Sequence, residues 1–404
     1  MVSVALSENL ARFRKARNLS QEQLAEAASV GVDTVGRIER AERRTTRPST
    51  VAKLANALGV STETLLGVLP ARGAQNDEAV ADLRQAVTAI EDIPGLSDFT
   101  DDREVLPVST LGTVAHRAWR SYVDGRHAEL LHALPTLIID ARRLVRNSEN
   151  EGRGAGYRVL STAYRLAAGI SGRLELDDLA WTAAERALQA ARNSDTQEIE
   201  TAISLRYLVW SLIRQGRLEE AERVAIHAAE MIEPRGLNRD PHRAGIFGNL
   251  LFNAATAAVR QQSGERAADL LAVAQSAAVR SGRDIATEAA IFGPRVTALQ
   301  TVEQALRLGD PEKALILAED TPDARGEVPA FWEAGHRLHI AHAAAETRRD
   351  REALAYLAEA RDIAPTWVQH QPLGRVTMGI LVDRASRRQG EVFASLATHY
   401  GLVQ

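Results

Sequence analysis

Apolar side chains recur every three or four residues along most of the chain, and this period is typical of amphipathic α-helices. The pattern predicts five short helices up to residue 67, one more helix at about Asp77–Ile90, and helices from Pro107 to the end. We therefore expect an all-α chain with three parts. These are an N-terminal five-helix domain (residues 1–67), a linker with one connecting helix (68–106), and a domain of stacked helix pairs (107–404).

The stretch from Leu19 to Arg47 carries the most informative local pattern, two short helices separated by a tight turn. Ser20 is placed to cap the first helix through the backbone N–H of Gln23, whose side chain returns the bond. Both helices have a buried stripe at helical spacing, formed by Leu24, Ala25 and Ala28 in the first and by Val35 and Ile38 in the second. Four residues stay off the second stripe, as a helix in a DNA major groove requires: Val32, Asp33, Gly36 and Arg37.

Two runs in this stretch, L-S-Q-x-x-L-A and V-x-R-I-E-R, resemble the Xre/Cro/lambda-repressor class of helix-turn-helix domains. The resemblance covers roughly residues 4 to 67 and has two departures. Ser29 stands in the turn where the family usually has Gly, and Gly31 stands where it usually has a Ser or Thr cap. We expect Ser29 to bear a backbone cost in the left-handed conformation, and the second helix to begin less firmly than usual.

The resemblance implies roles for eight residues in contact with double-stranded DNA. Gln21, Arg43, Arg44 and Arg47 fall on phosphate-contacting positions, and Val32, Asp33, Gly36 and Arg37 fall on base-reading positions. Arg37 is the strongest of these, because a guanidinium pairs with both acceptors of a guanine, while Val32 suits a thymine methyl and Asp33 a cytosine amino group. Glu39 resembles the family's internal structural glutamate. The alternatives are a merely solvated loop for the three later arginines and a head used for protein contact.

Charge is unevenly divided along the chain. The whole chain has a net charge of −4, with 49 Lys and Arg against 53 Asp and Glu, yet residues 1–70 are net positive. A basic head on an acidic body fits a head that meets phosphates and a body that does not. The absence of Cys excludes disulfides and thiolate sites, and no apolar run approaches the roughly 18 residues of a membrane span. We therefore expect a cytoplasmic protein without a membrane partner.

The clearest unit of the body is Glu200–Pro234, two helices joined by a turn at Gly216. Small residues at Ala221 and Ala228 allow these helices to approach closely, and the unit resembles a tetratricopeptide repeat. Weaker copies recur at spacings of about 39 to 50 residues, against 34 in that family. The resemblance implies an α-solenoid with a concave groove and a C-terminal capping pair. The connecting helix before it either pairs two copies of the protein or lies on the body.

A helix-turn-helix head joined to such a body is similar in architecture to the RRNPP type of bacterial quorum-sensing regulators. In that type, a secreted peptide enters the repeat groove and resets the dimer. The resemblance implies a homodimeric transcription regulator that reads a pseudo-palindromic operator under the control of a peptide or small-molecule ligand. A different hypothesis makes the body a scaffold that docks a protein partner, with the head as a DNA tether.

Mapping the repeat pattern onto the body places six residues in the groove as candidate ligand-binding residues: Arg206, Trp210, Arg214, Asn249, Asn253 and Arg260. Carboxamides four residues apart on one helix face bind the N–H and C=O of an extended peptide. The arginines suit a carboxylate, and Trp210 suits a packed side chain. The alternative is that all six make ordinary inter-helix hydrogen bonds or carry solvated charges.

Motifs for catalysis and cofactors are missing from the sequence. It contains no G-x-x-x-x-G-K-[ST], G-x-S-x-G or H-E-x-x-H. His336, His339 and His342 recur every three residues, a step that drifts around a helix instead of keeping one face. We therefore expect neither an enzyme nor a metal or cofactor site.

Overall fold

The computed structural model describes residues 2–42, 46–60, 62–66, 74–89, 104–148, 150–233, 240–385 and 389–402. The chain divides into two compact units, one formed by residues 1–73 with 333–404 and the other by residues 74–332. Among the described residues, no helix has both the length and the apolarity needed to cross a membrane. The linker segments 67–73 and 90–103 lie outside the described residues, so the domain boundaries at 67 and 106 stay predictions.

The N-terminal part of the first unit contains five helices: α1 (Val2–Ala16), α2 (Gln21–Ala27), α3 (Val32–Glu39), α4 (Pro48–Ala57) and α5 (Thr62–Leu65). Each contributes apolar side chains from one face to a shared core, in which Leu10, Leu24, Val35, Leu54 and Leu65 are fully buried. The order and positions of these helices agree with the apolar periodicity. This core holds α2 and α3 against each other.

The second unit begins with α6 (Ala74–Thr88) and continues as helix hairpins. These are α7 (Val108–Val123) with α8 (His127–Asn147), α9 (Asn150–Arg173) with α10 (Asp177–Ala191), α11 (Gln197–Arg214) with α12 (Leu218–Ile232), α13 (Pro241–Arg260) with α14 (Gly264–Ser281), and α15 (Pro294–Arg307) with α16 (Pro311–Glu319). Helices α7, α9, α11 and α13 pack side by side, each on the next. They form one layer of the unit, and the repeat pattern predicts the groove along this layer.

Alanines and glycines explain why these hairpins are tight. Ala221, Ala225 and Ala228 on α12 are fully buried, so that backbones can approach without large side chains between them. The turn between α11 and α12 places Gly216 at a φ of +74°, which costs glycine little and other residues more. The helix pair seen in the sequence at Glu200–Pro234 is therefore present.

The connecting helix α6 lies on the body of its own chain. Leu83 and Val87 are fully buried in the core that α7 to α10 form, and α6 packs mainly on α8. Of the two interpretations left open by the sequence, packing on the next domain is the one observed. The apolar face of α6 is thereby covered within the chain.

The expected all-α fold is confirmed, and the body contains one short β-hairpin in addition. Between α14 and α15, β1 (Ile285–Ala286) and β2 (Ile291–Phe292) form an antiparallel hairpin in which Ile285 pairs with Phe292 and Ala286 with Ile291. Two-residue strands are too short to show an alternating pattern, so the sequence gives no periodic signal for them. We call residues 285–292 the β-hairpin.

The C-terminal part of the first unit contains α17 (Ala330–Glu346), α18 (Asp350–Ile363), α19 (Pro365–Gln369), α20 (Pro372–Arg384) and α21 (Glu391–His399). The last two correspond to the expected capping pair. They pack against α1, where Lys15 Nζ donates to the carbonyl of Asp383 at 3.1 Å. Asn18 Oδ1 accepts from the backbone N–H groups of Gln389 and Gly390 at 2.8 and 3.1 Å. The head and the C-terminal helices are thus joined by specific polar contacts.

Candidate nucleic-acid interface and ligand groove

The turn between α2 and α3 has the geometry that the sequence predicts. Ser20 caps α2 by accepting from Gln23 N–H at 3.1 Å, and the Gln23 side chain accepts from Ser20 N–H at 2.9 Å. Ser29 has a φ of +49°, and Gly31 caps α3 with no side-chain hydrogen bond. The turn therefore carries both expected costs, a left-handed serine and a helix start without a side-chain cap.

A buried polar cluster fixes α3 against the rest of the head. Glu39, at the end of α3, accepts two hydrogen bonds from Arg14 on α1, at 2.6 and 2.9 Å. Its second oxygen also accepts from Gln21 Nε2 at 2.8 Å. This matches the internal structural role that the resemblance implies for Glu39. Gln21, predicted to contact phosphate, is half-buried and donates to Glu39.

The outward face of α3 presents three of the four predicted base-reading residues. Val32 is 42% exposed, unusual for an apolar side chain, and Asp33 and Arg37 are exposed beside it. Because the Glu39 cluster fixes the helix, these side chains project from a rigid element. Such a face suits entry into a major groove.

Gly36 is a correction to the predicted face. It is buried, and a Cβ at this position would lie 3.0 Å from an Nη atom of Arg40 and 3.5 Å from Gln21 Oε1. The absence of a side chain lets Arg40 and Gln21 cover the helix here. Sequence reasoning did not single out Arg40, although its position one helical turn after Gly36 is the available signal.

The basic loop after α3 is described only in part. Arg43 and Arg44 lie outside the described residues, and Arg47 is exposed immediately before α4. Before the loop, Arg40 pairs with Glu42 at 2.7 Å, and this hydrogen bond lowers the pKa of Glu42. Arg47 is therefore the loop arginine that the structure places at the surface.

In the body, three of the six predicted groove residues bond to one another and to the chain itself. Arg206 donates to Asn249 Oδ1 at 2.6 Å, and Asn253 Nδ2 donates to the carbonyl of Arg206 at 3.1 Å. Asn249 also donates to the Ile291 carbonyl at 2.8 Å and accepts from Ile291 N–H at 3.2 Å. Asn249 thus holds both backbone groups of an extended residue, as predicted for a peptide, but that residue belongs to the β-hairpin.

The other three predicted groove residues lie toward the C-terminal ends of α11 and α13. Trp210 is 37% exposed, Arg214 donates to Asp177 at 2.8 Å, and Arg260 donates to the Ile213 carbonyl at 3.1 Å. Burial lowers the pKa of Arg260, and the positive charges of Arg307 and Arg214 lower it further. Glu303 opposes this effect, and ion pairs with Asp177 and Glu303 offset the charges of Arg214 and Arg307.

A notch in α13 receives the β-hairpin. Phe292 is fully buried against Phe252, with ring centroids 5.7 Å apart. A Cβ on Gly248 would overlap the Phe292 ring, and one on Gly245 would lie 2.8 Å from Ala290 Cβ. Both positions thus need glycine because the hairpin approaches the helix backbone closely.

Comparison with known proteins places the head in a family. The family model described as Helix-turn-helix matches residues 10–65. The control protein C.SmaI of Serratia marcescens is 46% identical over 61 residues, which are 15% of this chain and 71% of that protein.

Two solved structures resemble the chain at low similarity. PlcR of Bacillus thuringiensis, in complex with the peptide PapR7 and DNA, is 13% identical with a TM-score of 0.28, over 67% of this chain and 93% of that one. The apo form of the competence regulator ComR from Streptococcus vestibularis is 11% identical with a TM-score of 0.31, over 85% and 99%. Because both scores are low, the architecture rests on the helices of this chain itself.

Proposed function

The chain belongs to the helix-turn-helix family of DNA-binding regulators, and from this premise we propose that it binds a pseudo-palindromic operator as a homodimer under the control of a ligand in its body. The matched family consists of DNA-binding domains and not of enzymes. The relative from Serratia marcescens is named a control protein, which supports a regulatory role. We place the protein in the cytoplasm, where its operator is accessible.

The exposed face of α3 carries the DNA-binding part of the proposal. Val32, Asp33 and Arg37 are exposed on a helix that the Glu39 cluster fixes. Val32, at the start of this helix, is 42% exposed, so much of its apolar surface is in water. Contact with a thymine methyl would bury that surface. We assign base reading to these three residues and phosphate contact to Gln21, Arg43, Arg44 and Arg47.

The size of the head supports the proposed dimerisation. One recognition helix reads a few base pairs, so a symmetric pair of heads on half-sites one helical turn apart, about 34 Å, multiplies both affinity and specificity. The experiment is selection of genomic fragments by the purified protein at two salt concentrations. We expect a two-fold symmetric site, bound by a species of twice the chain mass in sedimentation. Enrichment of asymmetric sequence bound by one chain would contradict dimeric binding.

Control by a ligand is the second part of the proposal. Arg260 is exposed at the end of α13, which supports contact with an anionic ligand group there, whereas the amides of Asn249 and Asn253 are bonded to the chain itself. The test repeats the selection of genomic fragments with wild type and with Arg260→Ala. Each protein is tested with and without an extract of the culture medium in which the source cells grew. We expect the extract to change operator affinity in the wild type only. An unchanged affinity together with a stoichiometric protein partner would favour the scaffold hypothesis.

A further inference from the structure

The β-hairpin occupies the groove side of α13. Four residues of one face of α13 receive it: Gly245, Gly248, Asn249 and Phe252. Both polar atoms of the Asn249 side chain are bonded to Ile291, and the Phe292 ring fills the space above Gly248. An extended peptide could not bind along this face, because the Asn249 amide is bonded to Ile291 and the Phe292 ring occupies the space above Gly248.

The hairpin is held firmly at its base. Asp284, fully buried just before β1, accepts from the N–H groups of Arg295 and Val296 at the start of α15, and from Arg325 N–H at 2.9 Å. These bonds satisfy amides that the first turn of α15 leaves without helical partners. Displacement of the hairpin by a ligand would break these bonds and also the two hydrogen bonds between Asn249 and Ile291.

Next to the hairpin tip, the groove side remains open as a cavity of about 650 Å³. Helices α7, α9 and α11 form three of its walls, and the fourth is closed by Asp240 and His242 at the start of α13 together with Glu288 and Ala289 at the tip. Half of the lining residues are apolar, and they supply most of the cavity surface; they include Val108, Gly112, Val159, Ile199 and Ile203. This volume lies within the range of roughly 300–1,000 Å³ that is typical of small-molecule sites.

The acidic and arginine side chains of the cavity wall already have partners, and Asp240 accepts from Arg243 N–H at 3.0 Å. Arg165 and Glu200 form a buried ion pair at 2.6 Å, and Arg158 pairs with Asp195 at 3.0 Å. Glu288 bonds to His116 Nδ1 at 2.8 Å and thereby fixes the tip to α7. A charged ligand would have to compete with these pairs, whereas a neutral one would not.

From these observations we infer that the cavity between α7, α9, α11 and the hairpin tip binds a small, neutral and mainly apolar molecule. The inference goes beyond the proposed ligand control, because neither Arg260 nor Asn249 lines this cavity. The apolar body of the ligand contacts Val159, Ile199 and Ile203. Thr162, whose hydroxyl oxygen accepts from Arg165 at 2.6 Å, has its hydroxyl proton available for one acceptor group of the ligand.

The test uses the neutral fluorophore N-phenyl-1-naphthylamine and the purified full-length protein. Gly112 lines the cavity, and a Cβ there meets no atom within 4 Å, so Gly112→Phe fills the cavity without a clash at Cβ. Gly152→Phe is the matched control, because Gly152 is an exposed glycine of α9 outside the cavity. We expect saturable binding to wild type and Gly152→Phe, and binding weaker by about tenfold or more, roughly 1.4 kcal/mol, in Gly112→Phe.

Three results would overturn the inference: no saturable binding to the wild type, equal affinity in Gly112→Phe, or an equal loss in Gly152→Phe. Circular dichroism of both variants confirms that they are folded. The dye experiment does not involve the head, so its failure leaves operator binding intact. Saturable binding that is lost only in Gly112→Phe supports the site whether or not operator affinity changes, because ligand control is tested separately at Arg260.

Discussion

The guanidinium of Arg14 and the carboxylate of Glu39 meet through two hydrogen bonds, 2.6 and 2.9 Å long, in the interior of the head. The side chains are only 14% and 7% exposed, so water screens the pair weakly. The pair joins α1 to the end of α3, and Gln21 adds a bond from α2. The orientation of α3, the proposed recognition helix, therefore depends on this carboxylate as well as on the apolar core of the head.

Replacement Glu39→Ala should destabilise the head by about 3 kcal/mol, because it leaves the Arg14 charge buried without its partner. Hydrogen exchange of the α2 and α3 amides in the full-length chain measures this locally. Glu42→Ala is the matched control, since Glu42 forms an exposed pair with Arg40, and exposed pairs contribute little to stability. Equal protection in both variants would show that the cluster does not hold α3.

Ser29→Gly should stabilise the head by about 1 kcal/mol, because glycine adopts a φ of +49° without the strain that serine bears. The amides of α2 and α3 should exchange more slowly in the variant. Gly31→Ser is expected to add a few tenths of a kcal/mol to this, by supplying the missing side-chain cap of α3. Faster exchange in Ser29→Gly would contradict the strain assigned to this turn.

Gly248→Ala should destabilise the second unit by about 1–3 kcal/mol, because the added methyl group overlaps the Phe292 ring. In a Phe292→Ala background, which itself costs stability, the same substitution should cost almost nothing. Hydrogen exchange at residues 285–292 reports the effect. Gly112→Ala, whose Cβ meets open space, is the control. Additive losses in the double variant would show that the notch does not hold the ring.

Stability of the C-terminal helices should fall as the pH is lowered from 7 to 5. Burial lowers the pKa of His342, with a smaller opposing effect from Glu346, so the folded state resists a proton that the unfolded chain accepts at its ordinary value of about 6.5. The stabilisation is present above that value and is lost below it. Urea unfolding followed by tryptophan fluorescence should show a smaller loss in His342→Gln. Burial lowers the pKa of His399 as well, so some loss should remain. Identical pH profiles would contradict this assignment.

The head could be predicted from the sequence in detail, because its determinants are local. The Ser20–Gln23 capping box, the left-handed Ser29 and the uncapped α3 each depend on residues within a few positions of one another. Gly36 was misplaced because its burial depends on how two side chains, Gln21 and Arg40, lie over it. Helix periodicity alone does not show that side chains from other positions lie over Gly36.

The groove could be predicted only in outline. The Asn249 amide was recognised as a clamp for extended backbone, but its partner Ile291 lies 42 residues away in strands too short for a periodic signal. The glycines at 245 and 248 are a signal for close approach that the sequence contains, yet they do not say what approaches. The contact between Asn249 and Ile291 could therefore be identified only from the structure.

The central claim is that α3 reads base sequence through Arg37. The most direct measurement compares affinities of wild type and Arg37→Ala for the selected operator and for a scrambled duplex, at matched salt. We predict that Arg37→Ala lowers operator affinity by about 1–3 kcal/mol and leaves scrambled-DNA affinity nearly unchanged. Arg47→Ala should weaken both affinities alike and reduce the salt dependence. An equal loss on both duplexes in Arg37→Ala, or no loss on either, would contradict the account.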